Sequence, residues 1–309
     1  MLIRLGEFIA VERRDFFKGI LGACACTSAY YSYRYFQEEN IKEKKTDSKT
    51  LERIEVPLTY HCNLNCAYCD HFSPIAPEYI MPTEVFEKDM KQLAKITNSK
   101  IEEITLLGGE PLLHNNLPKI FNIVRKYFPN SKIEMLTNGI LLEEQPESFW
   151  ESCNKNDIGI YVSHYRIGKK LFNFDNLTKI IDKYKAKVRI SYPKLEFKIM
   201  SLEKKEKHNI KKRYNECYSK LWPILDNGKF YSCTTVNGVE KFFNKKFPQH
   251  SIPISQSDIL DIHKILSIDE IIDFYNKPKK MCAHCSYYSV KGKEWAYSKK
   301  EASEWCKIS

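Results

Sequence analysis

From residue 52 onward the sequence predicts an α/β fold built around parallel strands. Two observations carry this expectation. Short apolar runs of strand length alternate with segments whose apolar residues recur at helical spacing. The motifs that bear chemistry follow the ends of those runs, where parallel α/β folds place their sites. Repeated strand–helix units require parallel strands joined by right-handed crossovers.

Ile54–Tyr60 reads as the first strand. Pro82-Thr83-Glu84 opens a helix with Val85, Phe86, Met90, Leu93 and Ile96 at helical spacing. A strand over 101–107 follows, then a helix over about 116–128 carrying Leu117, Ile120, Phe121, Val124 and Phe128. The run 132–137 is a third strand, followed by a helix around 145–154. Ile158–Ser163 is a fourth strand, and 176–186 a helix with Leu177, Ile180, Ile181 and Tyr184. Lys187–Tyr192 and Glu196–Met200 read as further strands.

The most informative segment is His61-Cys62-Asn63-Leu64-Asn65-Cys66-Ala67-Tyr68-Cys69. Soft thiolates suit iron–sulfur clusters, and a [4Fe–4S] cube needs four ligands. Three thiolates on one loop leave one iron open to a small molecule. Zinc also uses closely spaced cysteines, with His61 or His71 as a fourth ligand. The spacing C-x3-C-x2-C, with an aromatic residue before the third Cys, resembles the radical S-adenosylmethionine (radical SAM) superfamily. There the open iron chelates the amine and carboxylate of SAM, and an electron from the cluster cleaves SAM to a 5′-deoxyadenosyl radical.

Two more motifs strengthen the resemblance. Ile104–Leu107 ends in Gly108-Gly109-Glu110-Pro111, about forty residues after the Cys loop. Glycines after a strand allow close backbone approach, and a carboxylate accepts hydrogen bonds from an ammonium group. In the family such a segment holds the SAM amino group. The third strand ends in Thr137-Asn138-Gly139, also common there. The resemblance implies a partial (β/α)6 barrel over residues 51–202. It also implies that Tyr68 packs near the adenine, that Gly108, Gly109, Glu110 and Asn138 line the SAM site, and that Ser163 meets the ribose or carboxylate. His164, Tyr165 and Arg166 are either substrate-facing or plain loop.

Beyond residue 203 the alternation stops and cysteines return. Cys217 precedes Leu225–Cys233, where Asn227-Gly228 between two apolar runs signals a hairpin that folds Cys233 back toward Cys217. A helix over 267–275 leads to Cys282-Ala283-His284-Cys285. Four thiolates complete a closed site. The arrangement resembles the twitch domain, the shortened SPASM extension of radical SAM enzymes, which implies a small α+β domain over 203–309. It also implies one auxiliary [4Fe–4S] cluster on Cys217, Cys233, Cys282 and Cys285. A four-Cys zinc ribbon is the alternative, and Cys306 is a spare ligand or cap. Cys153, on a helix beside Trp150, reads as core.

The chain has 309 residues, eleven cysteines and formal net charge +10. Clustered cysteines point to metal chemistry in a reducing compartment rather than to disulfides. Lysine-rich runs such as Lys204–Arg213 and Lys277–Lys280 read as solvated surface. A zinc-stabilised nucleic-acid binder would interleave aromatics with these runs, and Lys204–Arg213 holds none. Arg13-Arg14 ahead of the uncharged stretch 19–33 looks like a twin-arginine export signal, and Leu21–Cys24 resembles a lipoprotein cleavage box. SAM and low-potential electrons are cytoplasmic, so cytoplasmic location is expected, with export and membrane association left open. Residues 1–50 read as an N-terminal segment ending in a linker, outside the catalytic body; Cys24 and Cys26 are assigned no cluster.

An oxidoreductase is therefore expected, fed by a flavodoxin or ferredoxin. The resemblance implies hydrogen abstraction from a substrate, with the auxiliary cluster accepting the remaining electron. Twitch and SPASM enzymes oxidise cyclitol and sugar alcohols or modify peptides. Without an obvious peptide-binding domain, a small polyol or sugar is favoured over a peptide. His164, Arg166 and Lys229 are unranked proton acceptors.

Overall fold

The computed structural model describes residues 50–165, 174–191, 196–197, 201–217, 219–286 and 292–308. The twin-arginine segment, Cys24, Cys26 and Arg166 lie outside them. Residues 49–309 form one compact unit.

Strands β1 (Leu51–Thr59), β2 (Ile101–Gly108), β3 (Lys132–Thr137), β4 (Ile158–Val162) and β5 (Lys187–Ile190) run parallel in chain order. The connecting helices are α1 (Thr83–Thr97), α2 (Leu117–Tyr127), α3 (Glu147–Lys155) and α4 (Phe174–Tyr184). These nine elements are the ones the periodicity predicts, with ends shifted by a few residues.

Alternation along the strands sorts their two faces. Ile54, Val56, Leu58, Ile104, Leu106, Ile133, Met135, Ile158 and Ile160 pack in the main core with helix residues such as Phe86, Met90, Phe121 and Phe149. The opposite face carries Arg53, Glu55, Glu103, Thr105, Glu134, Tyr161 and Arg189. Arg189 pairs with Glu134 at 2.5 Å and lies 5.1 Å from the centroid of the Tyr161 ring. Glu55, Thr105 and Glu134 on this polar face are nonetheless buried.

The sixth strand departs from expectation. Residues 196–197 (β6) pair antiparallel with Lys293–Glu294 (β10), not with β5. The sheet grows instead on its other side. A short helix α5 (Ile210–Glu216) precedes strands β7 (Ile224–Asp226), β8 (Lys229–Tyr231) and β9 (Ile259–Asp261). The sheet order is β5-β4-β3-β2-β1-β7-β8-β9, with β7 parallel to β1 through the pair Glu55–Ile224. The β7–β8 hairpin turns at Asn227 and Gly228, both at positive φ (51° and 74°). That is the conformation the Asn-Gly pair favours.

After β8 a helix α6 begins as Thr234–Gly238, widens into a π segment over Val239–Phe243 and closes with Asn244–Lys246. Helix α7 (Ile268–Tyr275) starts at a capping box of Ser267 and Glu270. A second core gathers Phe72, Leu202, Tyr231, Val236, Phe243, Met281, Trp305 and Cys306. Cys306 is thus a core residue, and Cys153 lies in the main core as expected. Among the described residues no helix is long and apolar enough to cross a membrane.

Candidate iron–sulfur and SAM site

The Cys loop leaves the end of β1 and is held by its neighbours before any ligand is considered. Gly109 N–H donates to Thr59 O at 3.0 Å, and Glu110 N–H to His61 O at 3.1 Å. These bonds carry the β1–β2 pairing into the loop. A Cβ on Gly109 would lie 2.1 Å from His61 O, and one on Gly108 2.4 Å from Thr59 O. A side chain at either position would strike the backbone of β1 or the loop, so the two glycines let these segments approach closely.

Glu110 is fully buried. Its Oε1 accepts Leu112 N–H at 3.0 Å and Thr137 Oγ1–H at 2.6 Å, and its Oε2 accepts Asn138 N–H at 2.9 Å. A carboxylate offers about four acceptor positions, so one remains for an ammonium group. Burial pushes this carboxyl up to about 7, against the pull of its three donors. A cation at the fourth position would return it to the ionised form.

Asn138 links the third strand to the first loop. Its Nδ2 donates to Asn63 Oδ1 at 2.7 Å and sits 3.6 Å from Cys62 Sγ. Ser163, buried at the end of β4, donates its N–H to Thr137 O at 2.8 Å. The structure therefore joins Cys62, Glu110 and Asn138 directly, with Ser163 one strand further along. Tyr68, at a positive φ of 61°, receives Lys293 Nζ at 3.2 Å. His164 N–H donates to Ser191 Oγ at 2.9 Å, and burial lowers the pKa of its ring. Lys229 pairs loosely with Glu240 at 3.7 Å.

The sulfurs of the triplet are met by N–H donors. Cys62 Sγ accepts Leu64 N–H at 3.3 Å, and Cys66 Sγ accepts the indole N–H of Trp295 at 3.2 Å. Burial pushes the Cys69 thiol well up in pKa, with Asp70 and Cys66 adding to the rise, against the smaller pull of Ser73 N–H. Burial pushes Cys62 up to about 12. Donors aimed at sulfur favour thiolate, and a metal cluster favours it further. The donor set thus fits a three-thiolate cluster site: Cys62, Cys66 and Cys69 would hold the cluster, whose remaining iron is the one open to SAM. His61 Nδ1 already accepts Tyr79 N–H at 3.3 Å, and His71 lies 3.9 Å from Asp70. Among the described residues no three His, Cys, Asp or Glu side chains gather around a single-ion position.

A buried polar network fixes the start of the loop. Asp226, fully buried at the hairpin, accepts Tyr60 O–H at 2.7 Å, Lys241 Nζ at 2.7 Å and Asn237 Nδ2 at 2.9 Å. Tyr60 immediately precedes His61. Phe72 packs onto α6 so closely that a Cβ on Gly238 would lie 2.0 Å from its ring.

In the C-terminal half, Cys217, Cys282 and Cys285 all raise the pKa of Cys233, after burial itself. Each of the three acts on Cys233, while among the described residues no three of these side chains close around a single-ion position. Two lysines attend these cysteines. Lys220 and the buried Lys279 both feel Cys282, and burial lowers Lys279 to about 8. Arg213, read from the sequence as solvated, donates Nε–H to Cys285 O at 2.8 Å.

Sequence reasoning missed the tail. Ala67 N–H donates to Ala296 O and Ser298 N–H to Asn65 O, both at 2.8 Å. Trp305 Nε1–H donates to Cys69 O at 2.7 Å. Two tryptophans ten residues apart in a lysine-rich tail were the available signal.

A strand-ended thiolate loop braced by a buried carboxylate defines an iron–sulfur enzyme of the α/β class. Residues 56–190 match the model of the radical SAM superfamily. That span is a radical SAM domain, and the chain carrying it is that of an enzyme. It is 26% identical to the GTP 3′,8-cyclase of Aquifex aeolicus over 75% of this chain and 69% of that one. It is 28% identical to the GTP 3′,8-cyclase of Clostridium perfringens over 54% of this chain and 46% of that one. The crystal structure of BtrN with AdoMet and 2-DOIA overlaps 78% of this chain and 94% of its own, at TM-score 0.48 and 16% identity.

Proposed function

We propose that this enzyme oxidises a small hydroxylated molecule of the sugar or polyol type, with one auxiliary cluster taking up the second electron. When bound, the first cluster and SAM supply a 5′-deoxyadenosyl radical that removes hydrogen from carbon. The chain's own residues would do the rest. Glu110 would hold the SAM ammonium, Gly108 and Gly109 would keep the loop in place, and Tyr68, Asn138 and Ser163 would border the cofactor. Cys217, Cys233, Cys282 and Cys285 would hold the auxiliary cluster.

One observation carries this reading. Thr234, next to Cys233, lies 3.4 Å from Glu55 Oε2 on the polar face of the sheet. Asp70, next to Cys69, also acts on Glu55. Residues beside each cysteine set thus reach one polar face, which suits a substrate that gives a hydrogen atom to the SAM-derived radical and an electron to the auxiliary cluster. Arg189, Glu134 and Tyr161 on that face are hydrogen-bonding groups suited to hydroxyls. Low-potential electrons would come from a flavodoxin or ferredoxin in the cytoplasm.

A second reading rests on the relatives, GTP 3′,8-cyclases, whose substrate is GTP. The test separates them. Anaerobically reconstituted enzyme with SAM and a strong reductant is offered polyols and aminosugars, GTP or a peptide. 5′-Deoxyadenosine formation that rises with a polyol, together with its two-electron oxidised product, supports the proposal. A rise only with GTP, or only with peptide, overturns it.

A further inference from the structure

The C-terminal segment 292–308 lies along the Cys loop as an antiparallel partner. Cys66 and Tyr297 form an antiparallel bridge, flanked by the bonds Ala67 N–H to Ala296 O and Ser298 N–H to Asn65 O. Two indoles hang from this strap. Trp305 stacks on Phe72 with ring centroids 5.6 Å apart, and its N–H goes to the Cys69 carbonyl. Trp295, edge-on to Tyr297 at 4.6 Å, aims its N–H at a different kind of atom, the sulfur of Cys66 at 3.2 Å.

Cys66 is the middle ligand of the triplet and is 7% exposed. Hydrogen bonds to ligand sulfurs and solvent exposure are two of the quantities that set an iron–sulfur potential. Reduction adds negative charge to the cluster and its sulfurs. An N–H dipole pointing at sulfur therefore stabilises the reduced state more than the oxidised one. The backbone bonds on both sides leave the indole little freedom to turn away.

We propose that Trp295 is a positioning residue for the first cluster: its indole N–H, held by the strap, is a hydrogen bond to the Cys66 thiolate that raises the cluster's reduction potential. The proposal rests on the radical SAM assignment of Cys62, Cys66 and Cys69. Trp305 is its internal control, since its N–H holds the same loop through the Cys69 carbonyl rather than through a sulfur.

The experiment is a potentiometric titration of the full reconstituted chain, read by EPR on the signal that changes when SAM is added. Iron and sulfide are counted in parallel. Trp295→Phe should shift the midpoint to more negative potential. Trp305→Phe should lower thermal stability and leave the midpoint where it is. Trp295 replaced by β-(3-benzothienyl)alanine keeps the bicyclic shape and lacks the N–H. A more negative midpoint of the assembled cluster in that isostere traces to the hydrogen bond and supports the proposal, even where Trp295→Phe fails to fold. A wild-type midpoint in the isostere overturns it. Wild-type protein that assembles no cluster would instead overturn the cluster assignment itself, and the proposal with it.

Discussion

The carboxylate of Glu110 accepts the backbone N–H of Asn138 at 2.9 Å, joining the exit of β2 to the exit of β3. Asn138 in turn reaches Asn63 and Cys62. One buried side chain thus connects the two strand-end motifs, and through them the Cys loop.

Glu110→Ala should therefore do two kinds of damage. Three donors, Leu112 N–H, Thr137 Oγ1–H and Asn138 N–H, lose a buried acceptor. An unsatisfied buried group costs about 1–3 kcal/mol, so unfolding should be easier by at least that amount. SAM binding should weaken by roughly 1.5–3 kcal/mol, the worth of a hydrogen bond to a charged group. Equilibrium binding of SAM to the anaerobic protein and urea unfolding measure the two separately. Unchanged SAM affinity in a folded variant would remove Glu110 from the cofactor site.

Gly238→Ala is a test of how tightly the loop is packed. The added methyl would overlap the Phe72 ring at 2.0 Å, and Phe72 is buried against Phe243 and Trp305. Overpacking of this kind costs about 1–3 kcal/mol. The variant should melt earlier and hold iron less well than wild type. Combining it with Phe72→Leu should restore part of the loss, and equal melting of the two would argue that α6 simply shifts.

Glu55 predicts a pH dependence. Burial raises its carboxyl from 4.5 to about 8, with Asp70 adding to the rise. In the unfolded chain it ionises near 4.5, whereas in the folded chain it keeps its proton until about pH 8. Between those values folding takes up a proton, so this group's contribution to stability is lost as pH rises. Glu55→Gln removes the titration while keeping the shape. It should flatten the decline and stabilise the protein by about 1–3 kcal/mol at pH 8, after structural relaxation is allowed for. Urea unfolding at pH 5.5 and pH 8 checks this, and parallel pH profiles for the two proteins would contradict it.

Two cysteine sets predict about eight irons per chain after anaerobic reconstitution, the content of two [4Fe–4S] clusters. Replacing Cys62, Cys66 and Cys69 together by Ala should remove about half and abolish SAM cleavage. Replacing Cys217, Cys233, Cys282 and Cys285 should remove the other half and leave the first cluster in place. Zinc found in either site would refute the cluster assignment there.

The order of elements and the motifs at the strand ends were legible in the sequence because both are local. A strand declares itself by apolar runs, a helix by its spacing, a hairpin by Asn227-Gly228, and a thiolate loop by the intervals between Cys62, Cys66 and Cys69. None of these needs a partner from elsewhere in the chain. Tertiary structure decided what packs against what. It set Gly109 against the backbone of His61, because strand pairing continues past the end of β1. It sent residues 196–197 to β10 instead of β5, and put β7 beside β1. It drew Arg213 out of a basic run to hold Cys285. It laid Trp295 and Trp305 over the loop from more than two hundred residues away. Contacts at that separation depend on how the intervening chain folds back, and no interval or periodicity in the sequence encodes them.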